Sequence, residues 1–167
     1  AIIFNSYLQN ISSVDFPKIL TICKYAEEKK IIICIDGSYG TSKMFEYENL
    51  KLAAYISDNI TKTPIVIVHG GSCNVIKAML LALDKKNVWL DTSFSLPYYI
   101  GSSIEIDFAF ALKKMKAEKI LYGSDHPYID LDKSLSTHYN FFNKYKFNEK
   151  EIEKIMYLNS IDLFSVQ

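Results

Sequence analysis

Apolar runs of strand length that end abruptly in polar residues recur along this chain, and they limit it to very few folds. Ile31–Ile35 and Pro64–Val68 are continuously apolar rather than alternating. A strand without a polar face is buried on both sides, as in a parallel sheet. Shorter runs at Ile2–Phe4, Val88–Leu90 and Ile120–Tyr122 repeat the pattern. Apolar residues at helical spacing separate these runs. Ile19, Leu20, Ile22, Cys23 and Ala26 follow Asp15 as an expected N-cap and Pro17 in the first turn. Leu50–Ile56 carries a second helix, and Val75–Leu83 a third with Ile76, Met79, Leu80 and Leu83 on one face. Further helices are expected around Phe108–Met115, around Phe141, Phe142 and Tyr145, and over Glu149–Leu158 behind an Asn148 cap, with a last turn at Ile161–Phe164.

This is β-α repeated about five times at roughly 30 residues per unit, which implies parallel strands joined by right-handed crossovers. The fold class is therefore α/β. A closed (β/α)8 barrel needs about 250 residues, and this chain has 167. Five units make either a partial barrel of TIM-barrel type or an open sheet. At 49% hydrophobic residues the chain can bury one core, so residues 1–167 are expected to form a single domain. The first residue is Ala1 and a strand follows at once, which suggests a missing upstream segment.

Formal net charge is zero and the isoelectric point is near 7.0. No basic stripe points to nucleic acid. No apolar run reaches the roughly 18 residues of a membrane span, and no basic region marks a signal peptide. Cys23, Cys34 and Cys73 fit no paired spacing and are expected as buried, reduced thiols of a cytoplasmic protein. Walker, dinucleotide and serine-elbow motifs are lacking. The expected partner is a small-molecule substrate.

In parallel α/β folds, chemistry gathers at the C-terminal ends of strands. Four runs here end in polar groups: Ile31–Ile35 in Asp36-Gly37, Pro64–Val68 in His69-Gly70-Gly71, Val88–Leu90 in Asp91-Thr92-Ser93, and Ile120–Tyr122 in Gly123-Ser124-Asp125-His126-Pro127. Asp125 can bind a divalent cation or act as a general base, or else cap the following helix. His69 can ligate a metal or serve as a structural hydrogen-bonder. Asp36 can ligate, although Asp-Gly is also an ordinary turn. Asp91 and Ser93 are candidates for substrate contact or for support of His69. Tyr98, with Phe94 and Tyr99, could line an aromatic pocket in the longest loop. His126 could touch substrate at the mouth or lie exposed before Pro127. His138, on a polar late helix, is expected at the surface.

With these strand ends in view, the sequence resembles the amidohydrolase superfamily, specifically its amidohydrolase-related metal-dependent hydrolases and decarboxylases. Val66–Gly71 resembles the family's sixth strand, Val88–Ser93 its seventh, and Ile120–Pro127 its eighth with the GSD-x-P signature. The likeness covers the C-terminal five of eight barrel units. It implies His69 as a metal ligand and Asp125 as the aspartate that contacts metal and shuttles a proton. It also implies a cofactor, zinc in the first place, with manganese or iron as alternatives. The family's first-strand HxH pair is not in this sequence. The fifth-strand His position holds Asp36, and the fourth-strand position falls at Phe4 or Asn5. Only His69 and Asp125 match the ligand set, with Asp36 as the third candidate.

The leading expectation is the C-terminal portion of a barrel hydrolase in which metal-activated water attacks an amide, ester or lactone, or a decarboxylase using the same site. The alternative is a degenerate, catalytically silent barrel, without metal, that binds a small molecule or protein. A third reading is an open sheet whose edges favour a homo-oligomer or an upstream partner segment.

Overall fold

The computed structural model describes residues 1–165. Five parallel strands form one sheet in the order β1-β2-β3-β4-β5. They are β1 (Ile2–Phe4), β2 (Ile33–Asp36), β3 (Ile65–Val68), β4 (Val88–Asp91) and β5 (Ile120–Leu121). Helices α1 (Phe16–Glu28), α2 (Asn49–Ser57), α3 (Val75–Asp84), a short α4 (Ser95–Tyr98) and α5 (Ser103–Lys114) connect them. After β5 come α6 (Leu131–Lys144), α7 (Glu149–Glu153), a π-helical turn at Lys154–Leu158 and α8 (Asn159–Ser165). Strands in strict sequence order, joined by right-handed crossovers, place the connecting helices on one face of the sheet. That is the arrangement of a barrel segment; a doubly wound sheet reverses its order and carries helices on both faces.

Alternate strand residues divide between two layers, because side chains in a strand point to opposite faces. Ile33, Ile35, Ile65, Ile67, Val88, Leu90 and Ile120 enter the main core with the helices. Val66 and Leu121 face the other way, where Cys34, Val68 and Trp89 are only partly covered and Leu163 of α8 closes one end. On this second face Ile3 is 54% exposed. The strands are thus apolar on both sides, as their continuous runs require.

Helix α3 departs from its expected face. Val75, Ala78, Met79 and Ala82 are buried, whereas Leu80 and Leu83 are exposed. Small residues meet the loop after β3 because the approach is close: a Cβ at Gly71 would lie 2.8 Å from that of Ala78. Cys73 is exposed, against expectation, while Cys23 is buried and Cys34 partly so. Burial pushes the Cys23 thiol up to about 12 and that of Cys34 to about 11. Among the described residues, no helix is long and apolar enough to cross a membrane.

Candidate functional site

The C-terminal ends of β2, β3 and β4, with the loop after β5, meet above the sheet. His69 and Asp125 line one cavity of about 250 Å³ there, with Ser38, Tyr39, Met44, Phe94 and Tyr128. Both candidate residues have left-handed backbone, with φ of 62° at His69 and 59° at Asp125. This conformation is costly for residues other than glycine, and such outliers concentrate at functional sites. Gly70 and Gly71 continue the left-handed path. A Cβ at Gly70 would lie 2.9 Å from the Asp91 carbonyl, so only glycine lets the turn close against β4.

His69 is held from behind by the end of β4. Its amide donates to Asp91 Oδ1 at 2.7 Å, and the Ser93 hydroxyl donates to the same oxygen at 2.6 Å. The Ser93 hydroxyl proton is committed to Asp91, so the two groups facing His69 Nδ1 are acceptors: Ser93 Oγ at 2.9 Å and Ser93 carbonyl at 3.2 Å. This network assigns the proton to Nδ1 and leaves the Nε2 lone pair free. Part of Asp91 reaches solvent, yet its carboxyl is packed deeply enough that burial pushes it above the usual carboxylate range.

Asp125 also lies above that range. Burial is the main cause; His69 acts against it and the Asp36 charge reinforces it. Asp36 itself is nearly buried, with Oδ2 accepting from Asn5 Nδ2 at 2.7 Å. Its Oδ1 accepts from the Ser38 amide at 2.8 Å and the Ser38 hydroxyl at 2.6 Å. The remaining expected residues fall in different places. Asp91 and Ser93 stand behind His69. Tyr98 lines an adjoining cleft of about 270 Å³. His126 is exposed, and its amide donates to Ser124 Oγ at 3.3 Å.

His138 corrects the sequence reading, for it is fully buried. Its Nδ1 lies 2.8 Å from the Ser134 carbonyl and its Nε2 2.8 Å from Thr92 Oγ1. Phe141 and Phe142, three and four residues on, are buried with it; that helical spacing was the available signal. Sequence reasoning also missed Ser38, Tyr39 and Met44, although the loop after Asp36 follows directly from a strand tip.

A catalytic zinc takes three protein ligands and an open position. Among the described residues, no group of three or more His, Cys, Asp or Glu side chains is placed to hold a metal ion. His69 and Asp125 suit a divalent cation in kind and fall short in number.

Residues 14–166 match the family described as amidohydrolase, Amidohydro_2. No curated protein matches the chain in sequence. Among solved structures, an uncharacterised TIM-barrel protein from Bordetella bronchiseptica is similar with a TM-score of 0.73 at 18% identity, covering 93% of this chain and 53% of that one. A probable 2-pyrone-4,6-dicarboxylic acid hydrolase from Acinetobacter baumannii, with citric acid bound, gives 0.68 at 16%, covering 99% and 64%. An amidohydrolase from Burkholderia multivorans with bound zinc gives 0.70 at 12%, covering 98% and 64%. The chain thus spans between 53% and 64% of the length of these solved structures, and at such identities the likeness is one of fold. With the match running over nearly its whole length and a sequential parallel sheet of TIM-barrel type beneath the site, the chain belongs to the amidohydrolase family.

Proposed function

We propose that this chain carries the acid–base part of a hydrolytic site acting on a carbonyl substrate such as an amide, ester or lactone. The observation behind this reading is the pairing of His69 and Asp125 in one cavity at the strand ends. Asp125 accepts a proton from the attacking water and returns it to the leaving group. Its burial and the neighbouring Asp36 raise its proton affinity, which suits a group that must both take and give. His69, fixed through Nδ1, offers its one free lone pair, on Nε2, to the attacking water, or to a cation where one is bound. Asp36, with both oxygens occupied by Asn5 and Ser38, sets the local charge. A divalent cation, zinc first among them, would be held by His69 and Asp125 with donors from outside these residues, and would supply carbonyl polarisation and an acidified water.

A second reading, a barrel that binds without turnover, is favoured by the lack of a three-donor group among the described residues. Hydrolysis of p-nitrophenyl acetate and a simple lactone, with zinc or manganese supplied, separates the two. The hydrolytic reading expects Asp125→Asn to lose about a hundredfold in kcat/KM. Equal rates for wild type and variant would leave only binding.

A further inference from the structure

Asp36 ends β2 at the position where the family resemblance implied a metal ligand, but its carboxylate is already engaged. Oδ2 accepts from Asn5 Nδ2 at 2.7 Å, and Oδ1 accepts from the Ser38 amide at 2.8 Å and the Ser38 hydroxyl at 2.6 Å. A carboxylate offers about four acceptor sites, so a single one, on Oδ2, is left. The residue is 8% exposed. Among the described residues lining the cavity with His69 and Asp125, Ser38 is present and Asp36 is not. A ligand oxygen must face the ion; the Asp36 oxygens face two segments of the chain.

These bonds join the tip of β1 to the wall of the cavity. Asn5 follows β1, and its side chain is oriented before it reaches Asp36. Asn5 Oδ1 accepts from the Leu8 amide at 2.9 Å, which leaves Nδ2 to donate. Past Asp36, the Gly37 amide donates to the Val68 carbonyl at 3.0 Å, at the end of β3. The Asn49 side-chain amide, at the start of α2, donates to the Ser38 carbonyl at 3.4 Å. The turn is thus tied to β1, β3 and α2. Tyr39, Gly40 and Met44 follow it and line the cavity with Ser38. Ser38 is both the partner of Asp36 and part of the wall.

We propose that Asp36 is a positioning residue and not a metal ligand: through Asn5 and Ser38 it fixes the cavity wall Ser38–Met44 beside the reacting end. This rests on the reading of His69 and Asp125 as that end. A cation held there takes no donor from β2.

Reciprocal substitution in the full chain tests it. Asn5→Leu removes the donor and keeps the carboxylate. Asp36→Asn leaves either Asn5 or the Ser38 amide facing an NH2 group. Asn5→Asp combined with Asp36→Asn restores the bond with donor and acceptor exchanged and net charge unchanged. Each of Asn5→Leu and Asp36→Asn is expected to speed amide hydrogen exchange across Ser38–Met44 about tenfold, the worth of one hydrogen bond to a charged group, without speeding it in α3. The reciprocal pair is expected to return it to within about threefold of wild type. Asn5→Leu is also expected to raise KM for p-nitrophenyl acetate about tenfold while kcat changes by less than about threefold, since wall contacts serve ground and transition states alike. Zinc affinity, read by calorimetry, should hold within about threefold in Asp36→Asn. Affinity weaker by about tenfold or more, and not recovered in the pair, would make Asp36 a ligand. Exchange unchanged in the single variants, faster through α3 as well, or unrestored in the pair would also overturn the positioning role. If the chain takes up no zinc, the exchange pattern alone decides. Exchange is read without turnover, so an inactive chain that shows the expected pattern sinks the hydrolytic reading alone.

Discussion

Thr92 Oγ1 and His138 Nε2 lie 2.8 Å apart in the interior, tying α6 to the middle of the strap Asp91–Ser93, whose two ends hold His69. The Ser134 carbonyl faces Nδ1 and requires a proton there, so the Thr92 hydroxyl donates to Nε2 at 2.8 Å in preference to the Leu121 carbonyl at 3.3 Å. Thr92→Val keeps the shape and strands the imidazole nitrogen. It is expected to cost about 1–3 kcal/mol in urea denaturation and to shift the ring 15N resonances of His69. Thr92→Ser is expected to restore both. Unchanged His69 resonances in a folded Thr92→Val protein would show that the strap does not depend on this bond.

His138 also makes stability depend on pH. Burial holds it below the ordinary histidine value, and its neighbours Thr92, Ser134, Tyr122 and Phe142 are uncharged. Below about pH 6.5 the unfolded chain therefore binds a proton that the folded one resists. Stability is expected to fall as pH drops through that window and to recover as it rises. Asp91 has the opposite sign, since its raised carboxyl favours the folded state on acidification, and it acts nearer the carboxylate range. The check is the difference in unfolding free energy between wild type and His138→Phe from about pH 7 to 5. It should narrow on acidification; a constant difference would contradict the assignment.

Gly123 gives a steric test of the same strap. A Cβ there would stand 2.7 Å from Ser93 Cβ, and Ser93 is what fixes His69 Nδ1. Gly123→Ala is expected to destabilise by about 1–3 kcal/mol through overpacking. It should also displace the His69 ring resonances more than those of His126. An unperturbed His69 would mean that Ser93 has room to yield.

Periodicity made the sheet legible, because continuous runs such as Ile31–Ile35 suit only strands covered on both sides. It could not orient α3, which is apolar nearly all round, so the choice of Ala78 and Ala82 over Leu80 and Leu83 was left to close packing against the loop after β3. The strand-tip rule placed His69 and Asp125 together, since it depends on topology and not on distances. His138 was misjudged from the polarity of its helix, although its partners were already encoded three and four residues on. The fate of β5's outer edge was not legible at all. There the Asn159 amide donates to the Ile120 carbonyl at 2.7 Å, and the Tyr122 amide to the Ile155 carbonyl at 2.9 Å. Those contacts join segments more than 30 residues apart, which no local pattern records.

The central claim is that His69 and Asp125 act on one reacting carbonyl. A double-mutant cycle on kcat/KM for ester hydrolysis tests it most directly, using His69→Ala, Asp125→Asn and the pair. Residues that work as a unit are non-additive, so the double variant should be no worse than the poorer single variant within about threefold. Losses that multiply, or single variants as fast as wild type, would contradict it.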